Sequence, residues 1–119
     1  MHKERGRILI IGENKETTYE IRSLLDNQRF ELEIALSSEV GKLVLDSRQM
    51  NLVMIHSGII QNDDLEFIHF VKQRANNLPV ALLGDNADDI HREMDMHSEV
   101  QCFPKPYRID EIVKYIKRL

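Results

Sequence analysis

The sequence predicts an α/β domain, a doubly wound parallel sheet built from five strand–helix units. Three observations lead there. Short apolar, β-branched runs alternate regularly with stretches of helical period along the chain. The runs RILII and LVMI are continuous rather than alternating, which marks strands covered on both faces. A length of 119 residues, with 42% hydrophobic and 30% charged, suits one domain with a real core. Crossovers between parallel strands are nearly always right-handed, so a doubly wound sheet is the economical packing.

The elements follow in order. Arg7 to Ile11 is the first strand. Asn14 can cap a helix over about Lys15 to Gln28, with Ile21, Leu24 and Leu25 inward. Phe30, Leu32 and Ile34 alternate with Glu31 and Glu33, the period of a half-exposed strand. A helix over roughly Glu39 to Ser47 is expected to face inward with Val40, Leu43 and Val44. Leu52 to Ile55 is the central strand, ending at His56. Asp63 or Asp64 can cap a third helix carrying Leu65, Ile68, Val71 and Ala75. Pro79 to Leu83 is a fourth strand, its proline confined to the start. Asp88 to about Ser98 is a weakly amphipathic fourth helix with Ile90 and Met94 as its apolar pair. Val100 to Phe103 is the fifth strand. Ile109 to Leu119 is the last helix, with Ile112, Val113 and Ile116 inward.

Composition narrows the function classes. The longest apolar run is far too short to span a membrane, and the basic start MHKERGR lacks a signal-peptide core. A cytoplasmic domain is expected. The single cysteine, Cys102, allows no internal disulfide, and its neighbour Phe103 points to a buried thiol. A net charge of −4 with interspersed signs offers no basic face for nucleic acid. The chain stops in helical character at IVKYIKRL, which reads as the N-terminal part of a longer regulator.

In open parallel sheets, ligands bind beyond the carboxyl ends of the strands. The residues there are Gly12-Glu13-Asn14, His56-Ser57, Gly84-Asp85 and Pro104-Lys105-Pro106. These, with CFPKPY, the FELEIA strand and the DLEFI helix opening, resemble the receiver domains of bacterial response regulators over essentially the whole chain. The resemblance implies a CheY-like, flavodoxin-like (βα)5 fold with strand order 2-1-3-4-5 and a cis Lys105–Pro106 bond.

Receivers transfer a phosphoryl group to an aspartate at the end of the third strand. They use two acids to hold Mg²⁺, a hydroxyl residue after the fourth strand and a lysine after the fifth. Matched position by position, the acid pair falls on Gly12 and Glu13, the acceptor on His56, and the hydroxyl residue on Gly84 with Asp85 beside it. Only Lys105 is kept. His56 has three readings: a polar residue tolerated where chemistry has lapsed, a phosphohistidine, or a transition-metal ligand with Glu13. A lone carboxylate beside an imidazole is a poor Mg²⁺ site, since Mg²⁺ prefers hard oxygens. Lys105 either clamps an anion or pairs with Glu13 or Asp85. The aromatic switch of active receivers falls on Cys102, and a thiol cannot swing as a ring does. Phe103 is expected to point to the opposite face as core.

Other constellations carry less. Asp88, His91 and Asp95 share a helical face that could ligate a metal, though a solvated acidic face explains them as well. His69 reads as a surface residue and Phe70 as a contact residue or half-buried edge. Gly12-Glu13-Asn14-Lys15 lacks the further glycines of a nucleotide loop.

The expected function is therefore that of an atypical receiver in signal transduction, acting by protein–protein contact without aspartyl phosphorylation. It has no catalytic residues, cofactor or metal of its own. The alternative keeps Glu13, His56, Asp85 and Lys105 as a small-anion, nucleotide or metal pocket. The expected partner is another protein or an output domain of the same chain. The expected fourth helix carries the acids Asp88, Asp89, Glu93 and Asp95, and the fifth helix and its approach carry the bases Arg108, Lys114, Lys117 and Arg118. The resemblance implies a surface of fourth helix, fifth strand and fifth helix on which a two-fold axis would set one subunit's acids against the other's bases. That surface also suits a weak homodimer.

Overall fold

The computed structural model describes residues 6–12, 15, 19, 22–23, 30–56, 62–74, 78–85, 100–103 and 108–118. Five strands run β1 (Gly6–Gly12), β2 (Phe30–Ala35), β3 (Leu52–His56), β4 (Val80–Leu83) and β5 (Val100–Phe103). They form one sheet in the order β2-β1-β3-β4-β5. Every neighbouring pair is parallel, as expected for strands joined by crossovers. Three helices are delimited among the described residues: Ser38–Ser47, Asn62–Arg74 and Ile109–Lys117. Lys15, Tyr19, Arg22 and Ser23 are also helical, and the Ser23 hydroxyl donates to the Tyr19 carbonyl at 3.1 Å. The first helix's expected inward residues, the whole expected fourth helix and the Lys105–Pro106 bond lie outside the described residues.

Side-chain alternation along the strands builds two cores, one on each face of the sheet. Leu9, Ile11, Val53, Ile55, Val80 and Leu82 meet Phe67, Ile68 and Val71 of the Asn62–Arg74 helix. Ile8, Ile10, Leu52, Met54, Ala81, Leu83 and Phe103 meet Ile112 and Ile116 of the Ile109–Lys117 helix. All five residues of β3 are buried, which is why its sequence is continuously apolar up to His56. At the edge, β2 keeps Phe30 and Leu32 against the second core. Its Glu31 and Glu33 form ion pairs with Arg7 and Arg48.

Two helices differ from the sequence reading. The Ser38–Ser47 helix turns Gly41 to the sheet, with Val44 and Leu45 packed beside it, while Val40 and Leu43 are exposed. The expected inward placement of Val40 and Leu43 is thus corrected. The glycine lets the helix approach closely, since a Cβ there would lie 2.7 Å from Ile11 Cδ1. The helix starts at Ser38, where the Ser37 hydroxyl accepts from the Val40 N–H at 3.2 Å. The third helix begins at Asn62, so Asp63 and Asp64 lie in its first turn instead of capping it, where acids suit the helix dipole.

Candidate functional site

The carboxyl ends of the central strands bring together part of the expected site. In the sheet register Gly12 lies opposite His56, and His56 opposite Leu83, one residue before Gly84. Gly12 and Gly84 are buried. The Gly84 N–H donates to the Phe103 carbonyl at 3.4 Å, tying the end of β4 to β5. Asp85 follows in an exposed turn. His56 is only 4% exposed, the one buried polar or charged side chain among the described residues. Alternation from Leu52 and Met54 sets it on the face covered by the C-terminal helix. Glu13 and Lys105 lie outside the described residues, as do Asp88, Asp89, Glu93, Asp95 and His91.

The described ends of β1 and β3 bring no carboxylate oxygen for Mg²⁺. Where a hard cation needs carboxylate oxygens, β1 ends in Gly12, which has no side chain, and β3 ends in a buried imidazole. Among the described residues no group of three or more His, Cys, Asp or Glu side chains is placed to hold a metal ion. Gly84 brings a backbone N–H but no hydroxyl.

Cys102 and Phe103 lie on opposite sides of β5. Cys102 is half-buried against the first core, less enclosed than its neighbours implied. Phe103 points the other way, 7% exposed, as expected from strand alternation. Its ring meets that of Tyr115 edge to face, with centroids 5.7 Å apart. The Tyr115 hydroxyl is buried without a hydrogen-bond partner among the described residues, and burial pushes its pKa from 10.0 up to about 12. Tyr115 is not among the inward residues expected from the sequence. Its spacing of three from Ile112 was the available signal for an inward position. Beside it, Arg108, Lys114, Lys117 and Arg118 are all exposed. His69 is exposed as expected. Phe70 is half-buried, stacked on Phe67, with the Lys42 ammonium 5.2 Å and the Arg74 guanidinium 5.4 Å from its ring centroid.

Solved structures of similar shape identify the fold. The chain is similar to the signal receiver domain of an HD domain-containing protein from Pseudomonas fluorescens Pf-5. That match has a TM-score of 0.84 and 19% identity, over 97% of this chain and 94% of that one. It is similar to a response regulator receiver protein from Pseudomonas putida, with TM-score 0.84 and 16% identity, over 99% and 100% of the two chains. The chemotaxis protein CheY4 of Vibrio cholerae gives a TM-score of 0.83 and 13% identity, over 97% and 98%. No protein-family model and no curated protein sequence matches the chain. The fold is that of a CheY-like response-regulator receiver domain. Among the described residues, no helix is long and apolar enough to cross a membrane.

Proposed function

We propose that this domain is an atypical receiver, a cytoplasmic signalling module that works by protein–protein contact and is not phosphorylated on aspartate. One observation carries the reading: a buried His56 stands at the end of the central strand, flanked in register by Gly12 and Leu83. That is the position the resemblance assigns to the acceptor carboxylate. Phosphoryl transfer is driven by positioning and charge neutralisation around the transferred group. A site that ends its strands in Gly12, His56 and Gly84 supplies neither the acceptor oxygen, nor the first metal-binding acid, nor the hydroxyl. Cys102 in the ring position removes the usual relay as well.

Such a domain signals through what it touches. The exposed bases Arg108, Lys114, Lys117 and Arg118 on and beside the last helix support a contact on the fourth-helix, fifth-strand and fifth-helix face, with a partner protein, an output domain or a second copy. Exposed ion pairs are worth about 0–1 kcal/mol each, so charge sets orientation there and apolar contact supplies affinity.

The test is incubation with acetyl phosphate and Mg²⁺, followed by intact mass measurement. No phosphate-sized adduct is expected. An acid-labile, base-stable adduct on His56 would replace the reading with histidine phosphorylation. An aspartyl adduct anywhere in the pocket would restore an active receiver.

A further inference from the structure

Four large apolar side chains stand exposed among the described residues, and three of them belong to one stretch: Leu36, Val40 and Leu43, at 39%, 44% and 65% exposure. Val40 and Leu43, three apart, lie together on the outer side of the Ser38–Ser47 helix, and Leu36 directly precedes its extended cap residue Ser37. The cause lies on the other side of that helix. Gly41 faces Ile11 and Phe67, so the helix is held with its smallest residue inward and Val40 and Leu43 outward. The position four residues into the helix, where a hydrophobic staple would receive Leu36, is that same glycine, so Leu36 finds no apolar clamp there.

The charge around these side chains is uneven. Glu39 and Asp46, seven apart, share one flank. Asp46 pairs with Arg74 at 2.7 Å, so that flank borders the Asn62–Arg74 helix. On that helix Asp63, Phe67, Phe70 and Arg74 share a face by their spacing. Lys42 and Arg74 sit over Phe70. Two acids remain exposed, Glu39 in the first turn of the Ser38–Ser47 helix and Asp63 in the first turn of the Asn62–Arg74 helix.

We propose that Leu36, Val40 and Leu43 dock an amphipathic helix of another protein, with basic residues of that helix set against Glu39 and Asp63. Exposed apolar side chains with a polar rim are the form of a helix-binding face. The acids disfavour an anionic lipid surface. The docking face is separate from the fifth-helix face, and its test does not depend on whether the pocket is phosphorylated.

Two helical peptides serve as probes, both with leucines at successive i, i+4 and i+7 positions, one flanked by lysines and the other by glutamates. Each is titrated into the isotope-labelled chain and followed by backbone amide shifts. The lysine peptide is expected to shift residues 36–47 and to bind at least about tenfold more tightly than the glutamate peptide, a difference of about 1.4 kcal/mol. Leu43→Ser, at an exposed position where folding is not at stake, should weaken it by a similar factor. Glu39→Lys should narrow or reverse the preference. Equal binding of the two peptides, shifts confined to other elements, or no shift at millimolar lysine peptide would overturn the proposal. So would concentration-dependent shifts at 36–47 without peptide, which mean a second copy. Binding to phosphatidylglycerol vesicles that Leu43→Ser abolishes would mean a membrane.

Discussion

Replacing Gly41 with alanine tests the contact that sets the rotation of the Ser38–Ser47 helix. In a helix interior, alanine is favoured over glycine by about 0.8–1.0 kcal/mol, so propensity alone predicts a more stable protein. The structure predicts the opposite sign. A Cβ on Gly41 would lie 2.7 Å from Ile11 Cδ1 and 3.2 Å from two ring carbons of Phe67. Ile11 Cδ1 ends a flexible side chain, but Ile11 is 5% exposed and Phe67 1%, so neither has open space to move into. Overpacking of this kind costs about 1–3 kcal/mol. The net effect of Gly41→Ala is therefore a loss of about 0–2 kcal/mol. The assay is urea unfolding followed by circular dichroism, with the midpoint falling and the slope unchanged. A second variant separates packing from propensity. Ile11→Val removes the clashing Cδ1 and by itself costs about 0.5–1.5 kcal/mol, yet in the Gly41→Ala background it should cost little or nothing. A stabilised Gly41→Ala protein, or strict additivity of the two changes, would refute the close approach and with it the outward placement of Val40 and Leu43.

Other consequences can be measured on the same protein. Tyr115→Phe removes a buried hydroxyl that has no partner among the described residues, and should stabilise the fold by about 1 kcal/mol at neutral pH. The same variant should lose part of the alkaline instability. The unfolded phenol ionises from 10.0 while the folded one holds its proton to about 12, so stability present below 10.0 is lost as pH rises through that window. Unfolding midpoints of both proteins above and below that window check this. Phe103→Ala empties a buried aromatic site against Ile112 and Tyr115 and should cost about 3–5 kcal/mol in urea unfolding. Ser37→Ala removes the hydroxyl that accepts from the Val40 N–H and should cost about 1 kcal/mol. Sedimentation at low and high salt, with and without Lys114→Glu plus Lys117→Glu, tests the fifth-helix face. Weak self-association lost in salt and in the double variant is expected, and a monomer under every condition removes the dimer.

The sequence by itself determined the five strands and their parallel arrangement. Runs such as RILII and LVMI have no polar alternation, so they fit only a sheet covered on both faces, and such a sheet is built from crossovers. It also placed His56 at the end of the central strand and Phe103 on the core side of β5, because strand position and a period of two settle both. What it could not decide was rotation. The Ser38–Ser47 helix carries Val40, Leu43, Val44 and Leu45, an apolar arc too broad to name one inward face. The choice fell to distance: with Gly41 inward the helix comes close enough to Ile11 and Phe67 to bury Val44 and Leu45 partly, and Val40 and Leu43 are left outside. The state of Tyr115 was undecided for the same reason. Its burial depends on Phe103, a residue twelve positions away on another element, and local periodicity carries no term for such a contact.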